Sequence, residues 1–149
     1  MIKIRKAAIK DSSVIVDFQL AMAKETEDLA LDRNLVEAGV GNVFEHPEKG
    51  IYYVAEQSGI IIASLLVTPE WSDWRNGTVL WIQSVYVTPG FRGKGVYPKM
   101  YAHLQEIVRQ DDAIKGLRLY VDCRNTNAQK VYRRLGMDDS HYTLFEWMK

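Results

Sequence analysis

The residues best suited to chemistry form a glycine-rich loop beyond the middle of the chain. Residues 87–96 read Val-Thr-Pro-Gly-Phe-Arg-Gly-Lys-Gly-Val. Because Gly93 and Gly95 have no Cβ, the backbone N–H groups around them can approach an anion closely. Arg92 and Lys94 add positive charge, and the helix predicted to follow adds unpaired N–H donors. Such a loop can bind a pyrophosphate, although an isolated Arg-Gly-Lys-Gly is equally typical of a surface turn with a solvated basic tip.

Two common phosphate-binding motifs do not fit this loop. The dinucleotide fingerprint requires three glycines spaced G-x-G-x-x-G, and the nucleoside-triphosphate loop requires Gly-Lys followed by Ser or Thr. The run from Gly93 to Val96 supplies neither pattern. The loop is therefore predicted to bind a diphosphate in some other context.

A second set of residues supplies that context about thirty positions later. Asn125, Ala128 and Tyr132 are spaced so that they share one face of a helix, and Gly136 is placed to end it. Ala128 leaves room on that face for a slender ligand, Asn125 offers an amide, and Tyr132 offers a phenol. This row matches a long ligand that carries amides and ends in sulfur.

With both motifs in place, residues 79–137 resemble the GNAT superfamily of N-acetyltransferases. The resemblance implies that the loop binds the pyrophosphate of coenzyme A through its backbone, at Arg92, Gly93, Lys94, Gly95 and the first helical residue, Val96. It also implies that acetyl-coenzyme A is the cofactor. The family's loop pattern has a third small residue, for which this chain has Tyr97. A phenol there is expected to crowd the ligand or stack beside it.

The resemblance also implies roles around the thioester. The strand before the loop would pair its main chain with the pantetheine arm at Val85 and Val87, while Asn125, Ala128 and Tyr132 lie along that arm. Tyr132 would protonate the leaving thiolate, and a backbone N–H of the strand, that of Val85, would stabilise the oxyanion.

The general base is not identified by the sequence. An amine with a pKa of about 10.4 is almost entirely protonated at neutral pH, so a proton must be removed before attack. The family often has an acid where this chain has Gln83, and Gln cannot accept that proton. Glu25, Glu27, Asp122 or a water relay could do so instead.

The segment from Trp71 to Gly77 is a candidate for one wall of the acceptor site. Asp73 could attract a cation and the indole of Trp71 could hold it, with Glu25 and Gln83 as further substrate residues. The alternative, which we favour slightly, is a hairpin loop whose tryptophans cover the edge of the sheet.

Alternating and helical patterns predict the elements that carry these residues. The order is β-α-α-β-β-β-α-β-α-β, so the fold class is α/β, with a GNAT-like, mixed and mostly antiparallel sheet flanked by helices on both faces. After a first strand at the N-terminus, predicted helices cover residues 12–27, 32–44, about 95–107 and 125–135, and predicted strands cover residues 51–56, 60–68, 79–87, 117–121 and 142–147.

Composition narrows the class of protein. A chain of 149 residues is the length of one domain, so residues 1–149 are predicted to form a single N-acetyltransferase domain. Nineteen basic residues balance nineteen acidic ones, which argues against nucleic-acid or membrane partners. The single cysteine, Cys123, excludes an internal disulfide, fits a cytoplasmic location, and is expected to be a small buried residue. Three histidines and one cysteine give no metal-ligand spacing.

The predicted function is therefore transfer of an acetyl group from acetyl-coenzyme A to a primary amine of a small molecule or peptide, within a splay between the strands at 79–87 and 117–121. A homodimer through the aromatic last strand, which contains Trp147, is possible. A catalytically silent module that binds coenzyme A is the rival interpretation, because no acid stands at Gln83. A nucleotide-binding domain unrelated to acyl transfer would leave the row from Asn125 to Tyr132 unexplained.

Overall fold

The computed structural model describes all residues from 1 to 149, in two compact units of residues 1–118 and 119–149. The first unit contains one five-stranded sheet in the order β1-β2-β3-β4-β5. Neighbouring strands are antiparallel except for β4 and β5, which are parallel. The strands are β1 (Ile2–Lys6), β2 (Ile51–Gln57), β3 (Ile60–Ser72), β4 (Gly77–Val87) and β5 (Ile114–Arg118). The predicted α/β class with a mixed, mostly antiparallel sheet is confirmed.

Helices cover both faces of this sheet, as predicted. They are α1 (Ser12–Glu27), α2 (Arg33–Glu45) and α3 (Val96–Gln110). Tyr52 and Val54 of β2 belong to the core formed with α1 and α2, whereas Tyr53 contacts His103 of α3 at 5.7 Å between ring centroids. Because neighbouring residues of a strand point to opposite faces, α3 lies on the face opposite to α1 and α2.

The tight turn between β2 and β3 follows from the two residues that form it. Ser58 and Gly59 have φ angles of 51° and 79°. Two consecutive positive φ angles match the twist of a two-residue hairpin, and glycine adopts such an angle without strain. The strands predicted at 51–56 and 60–68 are thus joined as a hairpin through Ser58 and Gly59.

Strand β3 is longer than the sequence predicted. It was expected to end at Thr68 before Pro69, but it runs to Ser72 and pairs that residue with Gly77 of β4. The pairing of β2 with β3 stops at Val67, so beyond it β3 has a partner on one side only. Proline is tolerated in an edge segment because its missing N–H can face the open side.

Two other strand predictions were wrong. The strand predicted at 117–121 lies at Ile114–Arg118, where it pairs with residues 78–81 of β4. The strand predicted at 142–147 is absent, since residues 138–149 form neither helix nor strand and Phe145 and Trp147 are 91% exposed. A strand needs a partner to satisfy its backbone, and a local preference for strand does not supply one.

The second unit contains one helix, α4 (Thr126–Arg134). Asn125 caps its start, because the side-chain oxygen accepts a hydrogen bond from the Ala128 N–H at 3.1 Å. Gly136, with a φ of 88°, ends it, and its N–H donates to the carbonyl of Arg133 at 3.0 Å. Both predicted ends of this helix are confirmed. None of the helices in the structure has the length and apolar character that a membrane crossing needs.

Candidate active site

The site begins at an open edge of strand β4. Parallel pairing with β5 stops at the pair Trp81 and Arg118, whereas β4 continues to Val87. Residues 82–87 therefore have β3 on one side and no strand on the other. The backbone groups of such an edge can pair with an extended ligand. Val85 and Val87, the residues predicted to pair with the pantetheine arm, both lie in this segment.

A β-bulge interrupts β4 within the same segment. Gln83 pairs with Leu66 and Tyr86 pairs with Ser64, so Ser84 and Val85 together stand opposite Leu65. Ser84 has a φ of 52°, which is unusual for a residue with a side chain. A bulge takes one residue out of the ladder and re-aims its backbone groups. No glycine marks this position, so no local pattern predicts the bulge.

The glycine loop follows the open edge directly. A single turn of 3₁₀ helix at Pro89–Phe91 leads into Gly93 and Gly95, whose φ angles are 72° and 75°. The first hydrogen bond of α3 runs from the Lys99 N–H to the Gly95 carbonyl at 3.3 Å. The N–H groups of Gly95 and Val96 precede that bond and have no acceptor within the helix. The loop thus ends in donors at the positive end of a helix dipole, as an anion site requires.

Tyr97, the second residue of α3, has a buried side chain. It is 8% exposed and stacks on Tyr101 with 6.3 Å between ring centroids. The expectation that Tyr97 crowds the ligand or stacks beside it stays a prediction. Lys94 remains at the surface, where its Nζ lies 5.4 Å from the centre of the Phe91 ring.

The Arg92 side chain folds back from the loop toward helix α1. Its Nε donates to the Val87 carbonyl at 2.8 Å, and a terminal nitrogen donates to Glu25 at 2.6 Å. The guanidinium carbon lies 5.4 Å from the centre of the Tyr86 ring, and the Tyr86 hydroxyl donates to Glu25 at 3.3 Å. Burial, and then the charge of Glu25, raise the pKa of Tyr86. The structure thus brings together two predicted site residues, Glu25 and Arg92, with Tyr86, which was not among the predicted site residues.

Gln83 belongs to a polar stretch on the face that α1 and α2 cover. Its amide nitrogen donates to the Thr68 hydroxyl at 2.6 Å. Further along, the carboxylate of Glu70 accepts from the Trp81 indole at 2.6 Å and from Arg118 at 3.0 Å. The indole first, and then Arg118, lower the pKa of Glu70. Sequence analysis missed Glu70 because it follows Pro69 and was placed in a loop.

The structure does not place the side chains of Trp71 and Asp73 beside that of Gln83. Trp71 lies an odd number of residues after Thr68 in β3, so its side chain points to the opposite face of the sheet. Asp73 lies in the turn between β3 and β4, where its carboxylate accepts from the Trp74 N–H at 2.9 Å. The side chains of Trp71 and Trp74 are both largely exposed. This arrangement favours the interpretation of a solvated hairpin turn over a substrate wall.

The second unit holds the remaining predicted residues. The side-chain oxygen Oδ1 of Asn125 accepts the hydrogen bond of the helix cap, so a hydrogen bond to a ligand would come from the side-chain nitrogen Nδ2. Burial raises the pKa of the Tyr132 phenol. A phenol is already protonated at neutral pH, as a proton donor must be, because its usual pKa is about 10. Asp122 is a poor candidate for the base, since hydrogen bonds from Arg124 lower its pKa to about 2. Cys123, expected to be buried, is exposed.

A shallow, open groove lies elsewhere in the first unit. It has a volume of about 220 Å³ and lies between α3 and β5, and none of the glycine-loop residues lines it. The lining residues are Tyr101, Gln105, Val108, Arg109, Gly116 and Leu117. The groove contains no group that could act as a nucleophile or general base at neutral pH. No three His, Cys, Asp or Glu side chains come together where they could hold a metal ion.

Comparisons with known proteins agree with this geometry. The acetyltransferase (GNAT) family model matches residues 17–137. A possible acetyltransferase from Clostridium difficile 630 is 38% identical, with a TM-score of 0.93 over 100% of this chain and 98% of that one. A predicted acetyltransferase with acetyl-CoA from Clostridium acetobutylicum is 21% identical, with a TM-score of 0.74 over 100% of this chain and 95% of that one.

Glucosamine-6-phosphate N-acetyltransferase from Arabidopsis thaliana has a similar fold. It is 20% identical, with a TM-score of 0.73 over 100% of this chain and 99% of that one. The comparison with curated proteins found no matching sequence. The match to the family model over most of the chain, together with the relative that is 38% identical, shows that this chain belongs to the GNAT family of acetyltransferases.

Proposed function

We propose that the chain transfers an acetyl group from acetyl-coenzyme A to a primary amine of a small molecule or peptide, by direct attack in a ternary complex. The observation that carries this proposal is the continuity of the β4 open edge, residues 82–87, with the glycine loop at 92–96. An extended arm can pair with the edge while a diphosphate lies against the loop and the start of α3. Membership of an acetyltransferase family supports acetyl-coenzyme A as the cosubstrate.

The glycine loop fits a diphosphate. Gly93 and Gly95 hold left-handed backbone angles, and no protein atom lies within 4 Å of where a Cβ would stand at either position. The space in front of the loop backbone is therefore open to a ligand. Gly95 and Val96 supply N–H donors, and Lys94 supplies a mobile positive charge at the surface.

In the proposed reaction the protein positions the two reactants and stabilises the negative charge that develops on the carbonyl oxygen and on the departing sulfur. When bound, acetyl-coenzyme A supplies the acyl group as a reactive thioester. Alignment of a thioester and an amine in one site can contribute about 7–11 kcal/mol toward lowering the barrier. The Val85 N–H, beside the bulge, is proposed to stabilise the negative charge on the carbonyl oxygen. Tyr132 is proposed to give its proton to the departing sulfur.

The amine must lose a proton before or during attack. Asp122 is too weak a base, which leaves Glu25, Glu27 and a water relay. Glu25 already binds Arg92 and Tyr86, so its contribution to the site is at least structural. That the acceptor is an amine, and not another nucleophile, is part of this proposal.

We also propose a domain organisation, a cellular location and a mode of self-association. Residues 1–149 are treated as one acetyltransferase domain, since the family model runs across residue 118, where the two compact units meet in sequence. A cytoplasmic location follows from the single cysteine, Cys123. Self-association through the aromatic C-terminal segment that contains Trp147 remains a prediction.

Release of free thiol from acetyl-coenzyme A tests the proposal. The full chain is incubated with acetyl-coenzyme A and a panel of polyamines, amino acids, aminoglycosides and short peptides, and products are confirmed by a mass increase of one acetyl group. The proposal predicts turnover with at least one amine. Tight binding of coenzyme A without turnover on the whole panel would favour the silent coenzyme A-binding module instead.

A further inference from the structure

We infer that the Arg92 side chain is a positioning residue that fixes the shape of the glycine loop, with Glu25 as its anchor, and that it does not act as a charge on the diphosphate. This inference rests on the proposed function, because it concerns the site that would bind coenzyme A. It corrects the sequence-based view that Arg92 adds its charge to the pyrophosphate site.

The direction of the guanidinium is the first observation. It lies over the Tyr86 ring, and Tyr86 packs against Phe18 of α1 at 4.9 Å between ring centroids. The guanidinium is therefore on the face of the sheet that α1 covers. The donors proposed to bind the diphosphate are instead the backbone N–H groups of Gly95 and Val96, at the start of α3.

The second observation is that Arg92 forms hydrogen bonds to both sides of the turn between β4 and the glycine loop. Its backbone N–H donates to the Pro89 carbonyl at 3.3 Å, and its Nε donates to the Val87 carbonyl at 2.8 Å. The last residue of β4 and the first residue of the glycine loop are thereby held together. Because Val87 belongs to the open edge and Arg92 precedes Gly93, this one side chain sets the angle between both parts of the site.

The third observation is that the positive charge of Arg92 is paired with Glu25. Glu25 accepts from Arg92 at 2.6 Å and from the Tyr86 hydroxyl at 3.3 Å. Both members of the ion pair are nearly half exposed, so the pair contributes little to overall stability. A planar guanidinium can satisfy the Val87 carbonyl and Glu25 at once, which a lysine ammonium on a flexible stem does less well. Glu25 also offsets the positive charge locally, so Lys94 is the free cation of the loop.

The two possible roles of Arg92 predict opposite signs for one substitution. If its charge acted on the diphosphate, Glu25→Gln would remove a competing anion, and coenzyme A would bind more tightly. If Arg92 positions the loop, Glu25→Gln releases the guanidinium from its anchor, and coenzyme A binds less tightly. Coupling within one hydrogen-bond network corresponds to changes of about 2- to 140-fold in an equilibrium constant, and an exposed pair belongs to the lower part of that range.

Calorimetric titration of the full chain with coenzyme A is the test. We expect Glu25→Gln and Arg92→Lys each to weaken binding by about 3- to 30-fold, and the double variant to be little worse than either single one. Arg92→Lys keeps the charge, so a role as a simple charge predicts nearly unchanged binding. Glu37→Gln on α2 is the matched control, because Glu37 is also an exposed partner of an arginine, Arg33, at 3.5 Å.

Glu25→Asp covers the case in which Glu25→Gln folds poorly, as judged by thermal melting. It keeps the negative charge and shortens the side chain, so only the positioning role predicts weaker binding. Binding by the wild-type chain with equal or tighter binding by the Glu25 variants would overturn the inference and leave the proposed function intact. Failure of the wild-type chain to bind coenzyme A would instead contradict the proposed function itself.

Discussion

Gly95→Ala tests whether the left-handed backbone of the loop is needed for binding. Gly95 has a φ of 75°, and no protein atom lies within 4 Å of the position of an added Cβ. The methyl group therefore meets no steric obstacle, and the cost is that of a left-handed angle, roughly 1–2 kcal/mol. If the loop keeps its shape, the melting temperature should fall by about 2–4 °C for each kcal/mol lost.

The effect on binding is expected to be larger if the loop relaxes to a negative φ. The peptide unit would then rotate and turn at least one N–H donor away from the phosphate. A hydrogen bond to a charged group contributes about 1.5–3 kcal/mol, which corresponds to roughly a 10- to 100-fold change in a dissociation constant. We therefore expect coenzyme A to bind at least about ten-fold more weakly to Gly95→Ala.

Gly90→Ala is the control for this experiment. Gly90 lies in the 3₁₀ turn just before the loop, has no positive φ, and also has open space at its Cβ position. Calorimetry with coenzyme A and thermal melting are carried out on both variants. The reasoning predicts a loss of affinity for Gly95→Ala alone. Equal affinity of the two variants would refute the claim that the left-handed backbone at Gly95 aims the donors.

Four further predictions follow from individual residues. Gly95→Glu should abolish coenzyme A binding in calorimetry, because a negative charge would enter the anion site. Tyr132→Phe should lower the rate of acetyl transfer about ten-fold or more with little change in coenzyme A affinity, and an unchanged rate would remove Tyr132 from the mechanism. Leu65→Ala, at a fully buried position of β3, should reduce the free energy of unfolding in urea by about 2–5 kcal/mol. Asp11, whose pKa is lowered by Arg5, should stabilise the fold fully above about pH 4, and the stability lost in Asp11→Asn should shrink as the pH falls below that.

Elements with local signals were predicted well from the sequence. Helix α1 begins at Ser12 and ends at Glu27, as the starter residues and the apolar spacing indicated. The turn at Ser58-Gly59 and the cap at Asn125 are likewise set by side chains and backbone angles of a few adjacent residues. The same local patterns predicted the order of the elements along the chain, with which the family resemblance is compatible.

Features that depend on distant partners were predicted poorly. Pro69 was taken to end a strand, but β3 continues through it because β2 has already stopped pairing. The bulge at Ser84 depends on the register between β3 and β4, which no local pattern encodes. The segment at 142–147 has strong strand preference and forms no strand, since pairing decides that outcome.

The sequence predicted the backbone features of the site, whereas the structure was needed to place some of its side chains. The sequence located the loop at 92–96 and the strand before it, because glycine spacing reports on the backbone directly. It could not reveal that Arg92 turns back to Glu25, since residues 67 positions apart in the chain form that pair. It also missed the hydrogen bonds from Trp81 and Arg118 to Glu70 for the same reason.

Backbone amide hydrogen exchange with and without coenzyme A tests the central claim most directly, because it reports on individual N–H groups of the full chain. The account predicts that coenzyme A slows exchange at residues 93–96 and along the open edge at 85–87. Slowed exchange confined to other parts of the chain, or no change on adding saturating coenzyme A, would contradict the claim that this loop and strand edge bind the thioester cosubstrate.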